Sequence, residues 1–367
     1  MSTKTGKKPL ITANMVTFAR LIPMPGITWL IYSGYYWQGL VLGTLIGCTD
    51  FVDGYLARKH GPTILGGLID PIADKVFIAF VYIPFVQLGL FPAWAVALMF
   101  ARELMVTALR TSYALRDLEM KTSYLAKVKT WTQMQGIGMV MLFVLLIPHP
   151  KVLLGLLVVA MVAPLVAMAA FYLIKKRVWR GAIVMSLLQA PLIALQQHGD
   201  IKLTTSLILY AVVAITWISG LDYVVVGLRK LRGRGDFNRS DAVRLVGAMT
   251  VPALLFAVLA ETHAWAWPLI GILALELAVG GLDNLYAHHR RSTGAAPWAA
   301  RVLGASALLA AALLAEHLGA PELVNPAATT AFAVTLICVA VEFWRARDVY
   351  LDEKKRDRAS EVNVAHT

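Results

Sequence analysis

The stretch from residue 50 to residue 75, DFVDGYLARKHGPTILGGLIDPIADK, contains four aspartates at two helical spacings. Asp50 and Asp53 are three residues apart, and Asp70 and Asp74 are four apart. Each pair therefore lies on one face if its segment is helical. The apolar runs around the pairs predict two helices, and the short connector with glycine and proline predicts that they fold back on each other. All four carboxylates are expected to meet in one pocket.

Four carboxylates this close together cannot all stay ionised unless cations offset their charge. Hard oxygen ligands favour Mg²⁺ or Mn²⁺, and two such ions can bridge a pyrophosphate. Gly54 and Ala57 follow on the same helix face and leave room for a nucleotide, while Arg58 can pair with a phosphate. A solvated helix cap is the alternative for any single aspartate. Four aspartates at these spacings favour a site for two metal ions.

The composition indicates a protein that lies in a membrane. The 367 residues are 58% hydrophobic and 15% charged, with a mean hydropathy of +0.66, whereas soluble domains are about a quarter charged. The net charge of +12 fits cytosolic loops that face anionic lipid, so we expect no nucleic-acid partner. Cys48 and Cys338 lie in apolar runs and predict neither a disulfide framework nor a metal site.

Segments of about twenty apolar residues are long enough to cross a bilayer as helices. The sequence contains twelve candidates: 11–31, 37–57, 67–88, 93–114, 128–147, 152–174, 179–197, 203–227, 242–260, 266–286, 299–316 and 327–344. If the N-terminus is cytosolic and every segment crosses, nearly all clusters of lysine and arginine fall on the cytosolic side. The expected fold is an all-α polytopic transmembrane bundle, with both termini and the aspartate pocket on the cytosolic side.

The aspartate stretch resembles the signature of the CDP-alcohol phosphotransferase family, D-x2-D-G-x2-A-R-x7-8-G-x3-D-x3-D, at every fixed position. The matching residues are Asp50, Asp53, Gly54, Ala57, Arg58, Gly66, Asp70 and Asp74. The resemblance implies an enzyme built on a bundle of six transmembrane helices, here with additional C-terminal transmembrane helices. In the reaction it implies, an alcohol hydroxyl attacks the β-phosphorus of a CDP-activated donor and CMP leaves.

The same resemblance implies roles for individual residues. Asp50, Asp53 and Asp70 hold two divalent ions, Mg²⁺ or Mn²⁺. Asp74 contributes to the second ion and is the catalytic base for the acceptor hydroxyl. The residues expected to contact the CDP moiety are Gly54, Ala57, Arg58 and Thr17.

Within the family, further stretches are most similar to phosphatidylglycerophosphate synthases, which use CDP-diacylglycerol and glycerol 3-phosphate. The first segment contains Asn14, Thr17 and Arg20 in an N-x2-T-x2-R-L pattern. The fourth contains ARELMVTALR, the fifth begins AKVKTWTQMQ, and residues 218–224 read ISGLDYV. The resemblance also implies the inner membrane of a bacterium and a possible homodimer.

Glycerol 3-phosphate is a dianion, so its binding site is expected to be basic. Arg110, Lys127 and Lys129 lie at the cytosolic ends of the fourth and fifth segments and are expected to bind its phosphate. Positive-inside anchoring is the alternative for each of them. Arg102 and Glu103 lie deeper and are expected to face a polar interior, because an unpaired charge there is costly.

The chain is longer than a typical phosphatidylglycerophosphate synthase. We expect a catalytic domain over 1–234, with a two-span insertion at about 148–202, followed by an accessory transmembrane region over 235–367. The insertion holds two predicted segments, an even number, so the orientation of the ISGLDYV segment is preserved.

The accessory region faintly echoes the start of the chain. Arg244 has the spacing from Asn238 that Arg20 has from Asn14, and the run DNLYAHHR, which begins at Asp283, aligns with DGYLARKH. The echo is either a degenerate half-repeat or chance similarity between apolar helices. In both cases the region lacks the four carboxylates.

Other functions remain alternatives. A cardiolipin synthase that uses phosphatidylglycerol as acceptor is the closest one within the family, followed by enzymes with myo-inositol or serine acceptors. A transporter is disfavoured because the charged cluster lies at one membrane face rather than near the midplane. A non-catalytic membrane scaffold is disfavoured by the complete signature.

Overall fold

The computed structural model describes residues 12–61, 63–116, 118, 124–146, 149–176, 178–196, 200–233, 235–289 and 295–350. These ranges contain thirteen α-helices, a short 3-10 helix at Pro321–Leu323 and no strand. The α-helices are α1 (Ala13–Leu21), α2 (Met24–Tyr32), α3 (Tyr36–His60), α4 (Ile64–Gln87), α5 (Ala93–Ala114), α6 (Tyr124–Leu146), α7 (Pro150–Lys175), α8 (Arg180–Gln196), α9 (Ile201–Gly233), α10 (Arg239–Glu261), α11 (Ala266–His288), α12 (Ala295–His317) and α13 (Val324–Tyr350). The expected all-α polytopic bundle is confirmed.

Every predicted segment falls on a helix, the first on α1 and α2 together. In the described ranges, eight stretches are long and apolar enough to cross a membrane: Ala13–Tyr32, Tyr36–Lys59, Pro150–Ile174, Lys202–Gly233, Arg239–Glu261, Ala266–His288, Pro297–His317 and Pro321–Val349. These stretches indicate an integral membrane protein. Charged residues interrupt the apolar sequences of α4 and α5. The twelve crossings therefore stay a prediction. The cytosolic location of both termini also stays a prediction.

The turn between α3 and α4 joins the two aspartate helices. Gly61 ends α3 with φ at 91°, a conformation that favours glycine. Thr63 then caps α4, because its Oγ1 accepts a hydrogen bond of 2.9 Å from the backbone N–H of Gly66 and donates one of 2.9 Å to Asn14 Oδ1. A Cβ at Gly66 would lie 2.8 Å from Asn14 Oδ1. The start of α4 is therefore held closely against α1.

The C-terminal helices pack directly against the helices of the N-terminal half. α10 lies along α5, and α11 contacts both α4 and α5. The rings of Phe100 and Phe256 stack with their centroids 5.9 Å apart. The helices approach closely at two glycines of α11, since a Cβ would lie 3.1 Å from Thr107 at Gly280 and 3.0 Å from Ile72 at Gly281. The C-terminal region thus shares a core with α5 and with α4, the helix that carries Asp70 and Asp74.

The hairpin of α7 and α8 lies at the edge of the bundle. These two helices pack mainly on each other, while α9 packs on α5 and α6. Most side chains of α7 are exposed. This is the arrangement expected if the hairpin is an insertion, although the boundaries of the insertion and of the domains stay predictions.

Candidate active site

The ends of α3 and α4 bring the four aspartates to one region of the bundle. Asp50 and Asp53 lie in the last turns of α3, and Asp70 and Asp74 lie in the first turns of α4. Asp53 is buried, Asp70 and Asp74 are half-buried, and Asp50 is exposed. The cluster therefore contains one buried carboxylate and three that solvent or a ligand can reach.

Thr17 of α1 lies between one aspartate of each pair. Its Oγ1 is 2.8 Å from Asp70 Oδ1 and 3.2 Å from Asp53 Oδ2. The backbone carbonyl of Ala13 is a third acceptor at 3.2 Å. A hydroxyl has a single hydrogen to donate. Thr17 therefore orients the two carboxylates without neutralising either charge.

Arg20 lies between the other two aspartates. Its Nη1 donates to Asp50 Oδ1 at 2.9 Å and lies 3.1 Å from Asp74 Oδ1. The side chain is buried, and its Nε and Nη2 have no hydrogen-bond partner among the described residues. The sequence pattern predicted no contact between Arg20 and the aspartates, so this role emerges from the structure. The signal was available, because Asn14, Thr17 and Arg20 follow one another at three-residue steps along one face of α1.

The donor set fits a divalent cation in chemistry and in charge. One guanidinium faces four carboxylates, so the negative charge of the cluster is not balanced by protein side chains. Within the described part of the chain, however, no three carboxylate, imidazole or thiolate groups converge closely enough to hold a metal ion. Thr17 and Arg20 occupy the spaces between the aspartates. Their contacts use one oxygen of each aspartate, so the second oxygen of each carboxylate is left for an ion while Thr17 and Arg20 keep the aspartates oriented.

The residues predicted to contact the CDP moiety continue along α3 from the aspartates. Gly54 and Ala57 are half-buried, and Arg58 is exposed. A Cβ at Gly54 would lie 3.5 Å from Arg58 Nη1, so the guanidinium lies back along its own helix. This surface follows Asp53 along α3 and contains one arginine, while Thr17 contacts the aspartates from the side of α1. Contact with a nucleotide stays a prediction for all four residues.

Of the three cations predicted to bind the acceptor, the structure describes the side chain of Arg110. Arg110 is exposed near the end of α5, and its guanidinium carbon lies 5.9 Å from the ring centre of Tyr223 on α9. Lys127 and Lys129 lie in α6, and their side chains fall outside the described part of the structure. Lys75 links α4 to α5, a contact that the sequence does not predict, since its Nζ donates to Thr107 Oγ1 of α5 at 3.1 Å.

Arg102 and Glu103 lie inside the bundle, as expected. Both side chains are buried, and Arg102 Nη1 is 3.1 Å from Glu103 Oε1. Arg102 Nη2 donates to Ser219 Oγ at 3.0 Å. The close approach of α9 depends on Gly220, where a Cβ would lie 2.7 Å from Arg102 Nε. This pair links α5 and α9 in the interior.

Comparison with known proteins shows which family has sequences similar to this site. A family model described as CDP-alcohol phosphatidyltransferase matches residues 10–172, a range that includes the aspartates, Thr17 and Arg20. The CDP-diacylglycerol–glycerol-3-phosphate 3-phosphatidyltransferase of Bacillus subtilis is 32% identical over 145 residues, which cover 35% of this chain and 75% of that protein. This chain belongs to the CDP-alcohol phosphatidyltransferase family. It is a membrane-bound transferase of phospholipid biosynthesis.

Further relatives of this CDP-alcohol phosphatidyltransferase match a similar share of the chain. The protein of the same name from Rickettsia typhi is 36% identical over 133 residues, covering 35% of this chain and 75% of that protein. A probable phosphatidylglycerophosphate synthase of Mycobacterium tuberculosis is 36% identical over 155 residues, covering 40% of this chain and 72% of that protein. No solved structure matches. The family generally uses divalent metal ions.

Proposed function

We propose that this enzyme transfers a phosphatidyl group from CDP-diacylglycerol to glycerol 3-phosphate, giving phosphatidylglycerophosphate and CMP. The observation that carries the proposal is the agreement between two findings. The family model covers the residues that include all four aspartates, and relatives covered over 75% of their length are named for this reaction. In the structure, α3 and α4 bring those aspartates to one end of the bundle, where Thr17 and Arg20 of α1 contact them.

The transfer needs one base and one leaving group. In the proposed step, Asp74 accepts the proton of a glycerol 3-phosphate hydroxyl while that oxygen forms a bond to the β-phosphorus of CDP-diacylglycerol. The bond between this phosphorus and the bridging oxygen breaks, and CMP leaves with the electron pair. Asp74 suits the role because it is half-buried and Arg20 fixes its orientation from 3.1 Å.

The other three aspartates are proposed metal ligands. Asp50, Asp53 and Asp70, together with Asp74, would hold two Mg²⁺ or Mn²⁺ ions, which would stabilise the charge that develops on the phosphates. Thr17 orients Asp53 and Asp70, and Arg20 orients Asp50 and Asp74. Loss of such a partner of a metal ligand typically lowers metal affinity or activity by about ten- to a hundredfold.

Recognition of the two substrates is proposed to lie on opposite sides of the aspartates. Gly54, Ala57, Arg58 and Thr17 would contact the CDP moiety, since small side chains let a nucleotide approach α3 and arginine pairs well with phosphate. The residues that would bind the phosphate of glycerol 3-phosphate are Arg110, Lys127 and Lys129.

We assign the catalytic domain to 1–234, the insertion to about 148–202 and the accessory region to 235–367. The proposed location is a bacterial inner membrane, with the active site and both termini in the cytosol, in keeping with the distribution of basic residues. A homodimer is proposed from the family resemblance. Because α10 and α11 cover α4 and α5, the dimer would form through another face, and mass measurement in nanodiscs tests it.

The function is tested by measuring CMP release from CDP-diacylglycerol with the purified full chain. Glycerol 3-phosphate, phosphatidylglycerol, myo-inositol and serine are supplied separately, each with Mg²⁺, Mn²⁺ or EDTA. We expect release with glycerol 3-phosphate and either metal ion, and none in EDTA. A preference for phosphatidylglycerol would indicate a cardiolipin synthase instead, and full turnover in EDTA would rule out the metal site.

A further inference from the structure

A small cavity lies between α5, α10, α11 and α12 and shares no lining residue with the aspartate site. Four of its lining side chains are ionisable: Arg244, Glu276, Asp283 and Arg301. Thr111 and Trp298 form part of the remaining wall. Ionisable groups at membrane depth are costly to bury and commonly mark functional sites. The four groups differ in whether they already have a partner within the protein.

Arg301 and its two glutamates are fully engaged with one another. Arg301 Nε and Nη2 donate to the two carboxylate oxygens of Glu276 at 2.9 and 3.2 Å. Its Nη1 lies 3.1 and 3.0 Å from the two oxygens of Glu342 on α13. All three side chains are buried. Asp283 also takes part in an interaction within the protein. Both carboxylates that line the cavity therefore already have partners within the protein.

Arg244 differs from these residues. Only 4% of its surface is exposed, and its Nε has no hydrogen-bond partner among the described residues. It takes part in none of the ion pairs found within that part of the chain. A buried guanidinium without a partner is strongly unfavourable. Among the described residues, Arg244 therefore lacks a negatively charged hydrogen-bond acceptor, because the carboxylates that line the cavity are paired elsewhere.

The position of the cavity in the fold indicates where this acceptor comes from. The lining residues lie towards the end of α5, the start of α10, the end of α11 and the start of α12. With helices that alternate in direction, these four ends share the membrane face at which α3 ends and α4 begins. The phosphate groups of phospholipids lie at this level, and basic pockets between transmembrane helices at the cytoplasmic face bind lipid headgroups.

We propose that this cavity is a second ligand site, in which Arg244 binds a phosphate group. Guanidinium and phosphate match in charge and in hydrogen-bond geometry. One unpartnered arginine suits a single phosphate, carried either by a phospholipid headgroup or by a free phosphate ion. The site is separate from the chemistry at the aspartates and does not depend on a metal ion.

The test measures binding to the full chain in a phosphate-free detergent with EDTA, by the shift in thermal unfolding midpoint. The probes are short-chain phosphatidylglycerol, inorganic phosphate, and diacylglycerol of the same chain length, all at matched ionic strength. We expect at least one phosphate probe to stabilise the wild-type protein and diacylglycerol to have no effect. Stabilisation by the lipid alone identifies a headgroup site, and stabilisation by inorganic phosphate identifies a site for the free ion.

Variants connect this binding to Arg244. Arg244→Gln is expected to raise the Kd about ten- to a hundredfold, the effect of losing a charge-assisted contact. Arg244→Lys, which keeps the charge, should raise it less and guards against a folding defect in the first variant. The matched control is Arg239→Gln, at an exposed arginine of the same helix, and Asp70→Asn shows that the aspartate site is not being measured. The proposal is overturned if no phosphate probe stabilises the wild type, or if Arg244→Gln and Arg244→Lys both bind as tightly as Arg239→Gln.

Discussion

Each half of the molecule contains a cluster in which one arginine contacts two carboxylates, and the two clusters differ in how accessible those carboxylates are. In the N-terminal half, Arg20 contacts Asp50 and Asp74, whose side chains are 50% and 38% exposed. In the C-terminal half, Arg301 contacts Glu276 and Glu342, each only 6% exposed. The first arginine leaves carboxylates accessible and in excess, whereas the second is enclosed and all three of its guanidinium nitrogens donate to carboxylates. An open cluster can exchange its partners for a ligand, while the closed one holds three helices together.

The contact between the halves explains why the second cluster cannot duplicate the first. When the two halves are aligned, Gly280 stands where Asp50 stands in the N-terminal half. At that glycine α11 approaches Thr107 of α5 so closely that a Cβ would lie 3.1 Å away. Arg244 and Arg20, which are also aligned, are both 4% exposed. The position that carries a carboxylate in one half serves helix packing in the other, whether or not the halves share an origin.

The largest expected effect comes from removing a carboxylate of the open cluster. Asp70→Asn should lower the rate of CMP release at least about a thousandfold, because metal ions contribute several kcal/mol of charge stabilisation in the transition state. The measurement is kcat per folded enzyme after membrane insertion has been verified. Asp200→Asn is the control, since asparagine can still cap α9 through the hydrogen bond now made to Leu203. A variant at Asp70 with a tenth of wild-type activity would contradict the proposed site.

Substitutions in the closed cluster around Arg301 should lower the free energy of unfolding. Arg301→Met leaves two buried glutamates without their cation and should lower the free energy of unfolding by about 3–5 kcal/mol. Glu342→Gln leaves a balanced pair of Arg301 and Glu276, so its cost should be nearer about 1 kcal/mol. Both are measured by denaturant unfolding in detergent. Equal losses in the two variants would show that charge balance does not govern this cluster.

Removing a cation that binds the acceptor should raise the KM for glycerol 3-phosphate. Arg110→Ala should raise the KM for glycerol 3-phosphate about ten- to a hundredfold, because a charge-assisted contact is lost. The KM for CDP-diacylglycerol should change little. One of the two variants Lys127→Ala and Lys129→Ala should behave in the same way, since residues two apart cannot share one helix face. If all three variants keep the wild-type KM for glycerol 3-phosphate, these cations do not bind the acceptor.

The smallest expected effect concerns the hydroxyl that orients the aspartates. Thr17→Val keeps the shape of the side chain but removes the hydrogen bonds to Asp53 and Asp70. The Mg²⁺ concentration for half-maximal activity should rise about tenfold, as is typical when a partner of a metal ligand is lost. Thr17→Ser retains the hydroxyl and should remain close to wild type. An unchanged Mg²⁺ requirement in the valine variant would mean that the aspartates hold their positions without Thr17.

The sequence by itself determined the features that depend on short spacings. Apolar segments of sufficient length became helices at all twelve predicted places, and residues three or four apart placed each aspartate pair on one helix face. The turn between the pairs was also readable, because glycine and proline interrupt a helix locally and Gly61 adopts a positive φ there. The family signature has the same local character and needed no knowledge of packing.

Only the tertiary structure decided which helices meet. Arg20 reaches Asp50 and Asp74 from another helix, and Arg301 joins Glu276 to Glu342 across three helices. The seam between α11 and α4 joins residues about two hundred positions apart in the chain. Hydropathy predicts that a helix lies in the membrane but not which neighbour it packs against, because lipid and protein interior are similarly apolar. Close packing and buried ion pairs make that choice, and they exist only once the helices have assembled.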